Sequence, residues 1–199
     1  MTEISPEIFL LTGKSQAKLW KKVFQDLANN LLKEVNFQQE VVIMMGKRHT
    51  LRRLTSYQGD EGMSYRYSGK TRPANPWTPC LLAIKTEVER ITGQKYNFAV
   101  INYYPDGRSK LGWHSDDERD LVSESIIASV SFGAKRDFQV RIKPLEKGGK
   151  PGPIINIPLE SGDLLTMEGD FQKELKHSVP ARARVKDYRI NITFRLISR

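Results

Sequence analysis

The run from residue 188 to residue 197 constrains the fold most, because apolar and polar side chains alternate along it without a break. Successive side chains on a β-strand point to opposite faces of the sheet, so strict alternation predicts a strand with two chemically different faces. The apolar face consists of Tyr188, Ile190, Ile192, Phe194 and Leu196, and the polar face consists of Arg189, Asn191, Thr193 and Arg195. The polar face is either a solvated outer surface or the wall of an anion pocket, since guanidinium groups bind carboxylates through paired hydrogen bonds.

Further β-rich runs, bounded by Gly, Pro and charged turns, predict strands at 97–104, 126–132, 137–142, 154–158 and 163–167. Apolar residues at helical spacing indicate an amphipathic helix over 16–35. A second helix is expected over 79–92, with Thr78 as N-cap, Pro79 in the first turn and Gly93 as terminator. Helices first and strands later favour an α+β domain, with the helices on one side of a double-layered or barrel-like sheet.

The length of the chain, 199 residues, is consistent with a single domain over 1–199. Within it we expect an N-terminal helical extension at 1–38, a lid segment at 40–75 and a β-rich catalytic core at 97–199. Most of the lid segment is rich in Arg, Lys, Tyr and Gly but poor in long periodic runs, which is typical of a surface segment. Glycine, proline and charge at 143–153 indicate a flexible connector between strands.

The charge and cysteine content narrow the environment and the partners. Thirty-two basic and 23 acidic residues give a formal net charge of +9, which favours polyanionic partners such as nucleic acid or an anionic membrane. A single cysteine, Cys80, excludes an internal disulfide and a cysteine zinc cluster, so a reducing compartment fits best. No signal peptide and no apolar run of membrane-spanning length is evident. These features predict a cytoplasmic protein.

Two of the three histidines belong to a pattern that suits a metal ion. His114 and Asp116 form a His-x-Asp pair, and His177 lies in a distant segment. Two histidines and one carboxylate favour ferrous iron with open coordination positions. A zinc hydrolase is an alternative, although no general base is evident beside the metal. Strand parity adds Asn102 and Tyr104 on one face of their strand, as polar groups for the same pocket or as satisfied core residues.

Five segments together resemble the AlkB family of iron- and 2-oxoglutarate-dependent dioxygenases. They are Asn-Tyr-Tyr-Pro-Asp-Gly from 102, His-Ser-Asp-Asp-Glu from 114, Ser-Val-Ser-Phe-Gly-Ala from 129, His-Ser-Val-Pro from 177 and Arg-Ile-Asn-Ile-Thr-Phe-Arg from 189. The similarity runs from about residue 39 to the C-terminus and is greatest to the DNA-repair branch. It implies a double-stranded β-helix, or jelly roll, braced by N-terminal helices, with a nucleotide-recognition lid. It also implies Fe(II), 2-oxoglutarate and O2 as cofactors.

The resemblance assigns a role to each matching polar residue. It makes His114, Asp116 and His177 the iron ligands. Arg189 would bind the distal carboxylate of 2-oxoglutarate with help from Tyr104 and Asn191. Asn102 and Arg195 would lie at the keto-acid end of the cosubstrate, and Arg195 could also hold the acidic residues after the His-x-Asp pair.

The resemblance also implies contacts with an extruded nucleotide. Tyr65 matches a lid aromatic that stacks on the base, or is simply a packing tyrosine. Asp117 and Glu118 would face a cationic base, or form a solvated acidic turn. Met45, at the tip of the lid hairpin, would act as a soft wedge. Phosphate contacts would come from Lys47, Arg48, Arg52, Arg53, Arg66, Lys70 and Arg72.

The implied activity is oxidative demethylation of bases such as 1-methyladenine and 3-methylcytosine in DNA, with RNA as a further candidate substrate, and with release of formaldehyde, succinate and CO2. One alternative is an oxygenase of the same fold that acts on RNA, a protein or a small molecule. Another is a nucleic-acid-binding module without catalysis, which the intact ligand set argues against. We expect a monomer that binds nucleic acid and no membrane, cytoplasmic or, in a eukaryote, nuclear.

Overall fold

The computed structural model describes residues 5–25, 27–44, 46–67, 70–144, 146 and 148–198. Three helices are present in these ranges: α1 (Ala28–Glu34), α2 (Pro79–Thr92) and α3 (Phe171–Glu174). The strands are β1 (Glu7–Leu10), β2 (Ser15–Trp20), β3 (Gln38–Met44), β4 (Lys47–Gly59), β5 (Ser64–Tyr67), β6 (Lys70–Pro73), β7 (Phe98–Tyr104), β8 (Leu111–His114), β9 (Ile127–Gly133), β10 (Arg136–Ile142), β11 (Ile155–Leu159), β12 (Leu164–Gly169), β13 (Leu175–Val179) and β14 (Arg189–Arg195).

Two antiparallel sheets form the core, as the α+β jelly-roll prediction requires. Among the described residues, the larger sheet has eight strands in the order β1-β2-β12-β9-β14-β7-β4-β3, and the smaller has four in the order β11-β10-β13-β8. A separate two-stranded hairpin is formed by β5 and β6. The crossovers between non-consecutive strands are those of a double-layered β-structure, and the fold class is confirmed.

Strand β14 lies at the centre of the larger sheet and is buried on both faces. Its apolar residues Ile190, Ile192 and Phe194 pack against the helices, in a cluster that also contains Leu31 of α1 and Ile84 of α2. The alternating polar residues therefore face the interior between the sheets. The fold therefore supports the prediction that the polar face is a pocket wall. The alternative prediction, a solvated outer surface, is wrong.

The helix predicted over 79–92 is confirmed at both ends. Helix α2 spans Pro79–Thr92, the side chain of Thr78 accepts a hydrogen bond from the backbone N–H of Leu81, and Gly93 has a φ of +71°. A left-handed residue after the last turn ends a helix, and glycine adopts it without steric cost. These signals are local to the sequence, which is why pattern alone located them.

The helix predicted over 16–35 is wrong. Residues 15–20 form strand β2, which pairs with β12, and only Ala28–Glu34 is helical. Ser15, Ala17 and Leu19 are buried on one face of the strand, so the apolar positions follow a period of two as well as a helical period. A positive φ of 51° at Lys22 and a bond from its N–H to Asp163 Oδ1, at 3.0 Å, then turn the chain. Strands β1 and β2 thus extend the larger sheet, and the N-terminal segment is not a helical extension.

The segment expected to form a lid over 40–75 contains part of the larger sheet. Strand β4 pairs with β7 from Leu54 to Gly59, and Thr55, Ser56 and Gln58 are buried there. Among the described residues of this segment, β3 pairs with β4 and β5 pairs with β6, and residues 54–59 of β4 between these two hairpins are core strand. Within the described ranges, no helix is both long and apolar enough to cross a membrane.

Candidate metal centre and cosubstrate pocket

Three side chains converge between the smaller sheet and the interior of the fold. His114 at the end of β8 is directly opposite His177 on β13, and the two imidazole rings lie 4.2 Å apart. Asp116 Oδ1 lies 3.6 Å from His114 Nε2, and its Oδ2 lies 3.8 Å from His177 Nε2. One donor atom from each residue falls within 4.8 Å of the others, which is a spacing that one ion can bridge.

Asp116 reaches the site from the loop that follows β8 and not from the strand itself. Strand β8 ends at His114, and the next two residues are held by hydrogen bonds to the other side of the site. Ser115 Oγ donates to the carbonyl of Leu175 at 2.8 Å, and the N–H of Asp116 donates to Gln172 Oε1 at 2.9 Å. The loop therefore presents the carboxylate in a fixed orientation.

The protonation states of the ligands suit a metal ion. Burial, together with the neighbouring His114, lowers the pKa of His177 to about 3, so its imidazole is neutral at physiological pH. Burial alone would raise the pKa of Asp116, but Arg195 and the two histidines outweigh it, and that pKa lies below its ordinary value. His114 Nδ1 lies 2.8 Å from the carbonyl of Gly112, which leaves Nε2 free to bind a metal.

The expected binding site for the cosubstrate contains Arg189, a buried arginine whose guanidinium has N–H groups without a hydrogen-bond partner among the described residues. Arg189 is 1% exposed, and its Nη2 donates to Ser131 Oγ at 2.9 Å. Its Nε and Nη1, and the hydroxyl of Tyr104, have no hydrogen-bond partner among the described residues. Burial lowers the pKa of Arg189 to about 10, so it stays charged at neutral pH. A buried cation with free donors beside a free phenol is suited to an incoming carboxylate, so the residues present fit 2-oxoglutarate.

The other residues expected at the cosubstrate lie on the same interior face. Arg195 Nη2 donates to Asp116 Oδ1 at 2.8 Å, so this arginine holds the metal ligand itself. Asn102 accepts a hydrogen bond from Arg53 at 3.0 Å, and both line a small cavity of about 30 Å³ with His114 and Asp116. Asn191 donates to Ser129 Oγ at 2.8 Å. Their roles at 2-oxoglutarate stay predictions.

Sequence reasoning missed Arg136, which belongs to this pocket. It is 2% exposed, and its Nη2 donates to the carbonyls of Ser109 and Pro180 at 2.8 and 2.6 Å. The guanidinium carbon atoms of Arg136 and Arg189 lie 5.8 and 5.4 Å from the centre of the Tyr104 ring. The alternation of side chains along a strand could have indicated it, because Arg136 lies on the same face of β10 as the buried Phe138 and Val140.

The position of Tyr65 agrees with the second of its two interpretations, a packing tyrosine. Its side chain is 0% exposed and packs against Phe98, with ring centres 5.3 Å apart. Its hydroxyl donates to Glu118, and Arg195 lies 4.9 Å from the centre of its ring. Tyr65 is thus a packing residue of the metal centre here, and a base could reach its ring only after the β5–β6 hairpin moved.

The remaining substrate residues fall into three groups. Glu118 is partly buried against Tyr65, and burial raises its pKa, whereas Asp117 is largely exposed, with Lys143 Nζ at 3.8 Å. Met45 lies outside the described residues. Arg53 is buried beside Asn102, and Arg72 pairs with a carboxylate, as described below, so neither guanidinium is presented as an exposed phosphate contact in this structure. The exposed cations that remain on β4 and β5 are Lys47, Arg48, Arg52 and Arg66.

Comparison with known proteins agrees with this site. The profile of the 2OG-Fe(II) oxygenase superfamily matches residues 15–195, and the chain therefore belongs to that superfamily. Fe(II), 2-oxoglutarate and O2 are its cofactors, as expected. The chain is 40% identical over 194 residues to the human protein named DNA oxidative demethylase ALKBH2, covering 94% of this chain and 71% of the relative.

The chain is also similar to a second human protein and to a solved structure. It is 37% identical over 175 residues to the human protein named alpha-ketoglutarate-dependent dioxygenase alkB homolog 3, covering 86% of this chain and 60% of the relative. The solved structure of OsALKBH1 superposes with a TM-score of 0.63 at 18% identity, covering 96% of this chain and all of that one, which supports the fold alone. The resemblance to the AlkB family is confirmed by the 40% identity to human ALKBH2.

Proposed function

We propose that this protein repairs alkylated nucleic acid by oxidative demethylation of bases such as 1-methyladenine and 3-methylcytosine. The observation that carries the proposal is the pairing of the His114, Asp116 and His177 set with the unsatisfied buried donors of Arg189. That pairing supports iron chemistry driven by a dicarboxylic keto acid. The similarity to proteins named as DNA oxidative demethylases supports the choice of alkylated bases as substrate.

Fe(II) with 2-oxoglutarate and O2 supplies the oxidising power that hydroxylates the N-methyl group, after which the methyl carbon leaves as formaldehyde. The chain's own residues hold and orient the iron and the cosubstrate. His114, Asp116 and His177 would hold the iron. Arg189 and Tyr104 would bind the distal carboxylate of the cosubstrate. Arg195 fixes the Asp116 carboxylate through the 2.8 Å hydrogen bond, which keeps this ligand ionised and oriented.

Charge around the mouth of the site supports a cationic base on a polyanionic strand. Asp117 and Glu118 directly follow a metal ligand, and carboxylates there favour 1-methyladenine and 3-methylcytosine, which carry positive charge. The base must leave its stack to reach a buried metal, so single-stranded or extruded nucleotides are the form that the site accepts. Lys47, Arg48 and Arg66 are exposed on the two hairpins and suit phosphate contacts.

The direct test is a demethylation assay with Fe(II), ascorbate and 2-oxoglutarate. Oligonucleotides of one sequence would carry 1-methyladenine, 3-methylcytosine or a neutral methylated base, in single-stranded DNA, duplex DNA and RNA. We expect loss of the methyl group from the cationic bases, with formaldehyde and succinate formed in equal amounts, and no product from His114→Ala. Succinate without base repair on every oligonucleotide would instead favour a protein or small-molecule substrate.

A further inference from the structure

A buried network of three side chains connects three strands beside the metal centre. Glu40 of β3 accepts hydrogen bonds on one oxygen, Oε1, from Tyr57 of β4 and from Arg72 of β6. The Tyr57 hydroxyl lies 2.8 Å from that oxygen, and Arg72 Nη2 and Nε lie 2.6 and 3.0 Å from it. The Arg72 guanidinium also lies 5.7 Å from the centre of the Tyr57 ring. Sequence analysis indicated only Arg72 of these three, and it did so as a phosphate contact and not as the partner of a buried carboxylate.

The two charged side chains of this network form an ion pair that is largely shielded from solvent. Glu40 is 8% exposed, and the side chain of Arg72 is 20% exposed. A buried carboxylate is costly unless it is paired and hydrogen-bonded, and here a cation and a phenol satisfy one of its oxygens. Arg72 is therefore a structural cation of the β5–β6 hairpin and is not free to bind a phosphate group.

The hairpin that carries Arg72 is also attached to the loop that contains a metal ligand. Tyr65 of β5 is directly opposite Arg72 of β6, and its hydroxyl donates to Glu118, two residues after Asp116. The backbone N–H of Arg66 donates to Asp120 Oδ2 at 2.9 Å in the same loop. The β5–β6 hairpin is therefore anchored at two places, to the metal-ligand loop through Tyr65 and to β3 through Arg72.

Tyr57 connects this anchor to the catalytic cavity itself. Its ring lines the cavity that also contains His114 and Asp116. On its other side, Tyr57 borders a groove of about 310 Å³ that is also lined by Glu40 and Arg72. A change in the Glu40–Arg72 pair therefore acts on a wall of the cavity and on the position of the hairpin at once.

We propose that Glu40, Tyr57 and Arg72 form a positioning network that holds the β5–β6 hairpin over the metal centre and so sets the affinity for the damaged nucleotide. This inference rests on the proposed function. The hydrogen bonds and the ion pair described for Glu40 and Arg72 involve neither the iron ligands nor Arg189, so we expect their effect on nucleotide binding and not on cosubstrate binding. When only a fraction of the molecules has the hairpin in place, the apparent affinity falls by that fraction.

The test compares Arg72→Met with a matched control, Lys85→Met. Lys85 pairs with Glu89 on α2 at 2.7 Å, with side-chain exposures of 17% and 9% that are close to those of the Arg72–Glu40 pair. We expect Arg72→Met to raise the KM for a 1-methyladenine oligonucleotide about tenfold, while kcat and the KM for 2-oxoglutarate change less than twofold. Lys85→Met should leave all three values unchanged. Arg72→Lys, which keeps the charge, should recover part of the loss.

A double-mutant cycle identifies the pair as one unit. Glu40→Gln and Arg72→Met should each raise the oligonucleotide KM, and the double variant should be no worse than the poorer single variant. Additive effects of the two changes would contradict the proposal. So would an unchanged oligonucleotide KM in Arg72→Met, an equal rise in the KM for 2-oxoglutarate, or an equal effect of Lys85→Met.

Hydrogen exchange keeps the inference testable if no alkylated oligonucleotide is a substrate. In that case the proposed function fails, and the network is judged by the amide of Arg66, whose hydrogen bond to Asp120 reports the hairpin position. Arg72→Met should speed its exchange at least tenfold, with the amides of β14 unaffected and the circular dichroism of the folded protein retained. Unchanged exchange at Arg66 would overturn the inference independently of catalysis.

Discussion

Replacing Arg189 with methionine should make the protein without cosubstrate more stable. The guanidinium is fully buried, and burial lowers its pKa from 12.5 to about 10. One pKa unit corresponds to about 1.4 kcal/mol, so burial disfavours the charged form by about 3 kcal/mol. Losing the hydrogen bond to Ser131 removes about 1 kcal/mol of stabilisation. A methionine of similar length would therefore raise the free energy of unfolding by about 2 kcal/mol, because the buried charge is gone.

The same substitution should nearly abolish binding of 2-oxoglutarate. Removing one partner of a buried, hydrogen-bonded charge pair costs about 2–5 kcal/mol of binding free energy. A loss of about 3 kcal/mol corresponds to a rise of roughly 150-fold in Kd. The two effects have opposite signs, because in this account Arg189 is maintained for the cosubstrate at a cost to the stability of the empty protein.

Thermal unfolding measures both effects in one experiment. Anaerobic samples with Fe(II) would be melted with and without 2-oxoglutarate, and Arg90→Met, an exposed arginine on α2, serves as the control. Cosubstrate at 100 times its Kd stabilises the wild type by about 2.7 kcal/mol, which is a rise of roughly 5–11 °C in Tm. Arg189→Met should start about 4–8 °C higher and show almost no further rise at the same concentration. A variant that melts lower than the wild type, or that keeps the ligand-induced rise, would refute the reasoning.

Three further predictions concern protons, salt and the hairpin. The pKa of His177 is lowered to about 3 in the folded protein, so between pH 6.5 and pH 3 the unfolded chain binds one more proton than the folded chain. The free energy of unfolding without metal should therefore fall by about 1.4 kcal/mol per pH unit on acidification, as measured by urea unfolding. The fall should be shallower in His177→Gln. Lys47→Ala and Arg48→Ala should each reduce the slope of log KM for single-stranded oligonucleotide against log salt by about 0.7, and unchanged slopes would exclude phosphate contacts there. Tyr65→Phe, which loses its hydrogen bond to Glu118, should raise the oligonucleotide KM roughly fivefold in steady-state assays and leave decarboxylation in the absence of DNA unchanged.

Features whose cause is local could be predicted from the sequence. Helix α2 has its N-cap, Thr78, and its terminator, Gly93, within a few residues of its ends. Strand β14 could be predicted because its alternation is complete, and the position of Arg189 on a buried face follows from it. The three metal ligands came from residue type and from the resemblance, and the structure brings them together.

Features that depend on distant partners could not be predicted. Residues 15–20 satisfy a helical and a strand period equally, and only the pairing with β12 makes them a strand. Arg72 lies in a segment rich in basic residues, which favoured a phosphate contact. It instead donates a hydrogen bond to Glu40, 32 positions away in the sequence, and so stabilises the fold. Tyr65 is buried by Phe98 and by the loop after Asp116, which no local pattern in the lid segment indicates.

We expect His114, Asp116 and His177 to bind one ferrous ion, and Arg189 to bind the 2-oxoglutarate that follows it into the site. Anaerobic calorimetric titration of Fe(II), followed by 2-oxoglutarate, tests this expectation most directly. We predict one Fe(II) per chain and one cosubstrate per bound iron, loss of both binding events in His177→Ala, and loss of only the second in Arg189→Met. Iron binding that survives His177→Ala, or cosubstrate binding that survives Arg189→Met, would contradict the account.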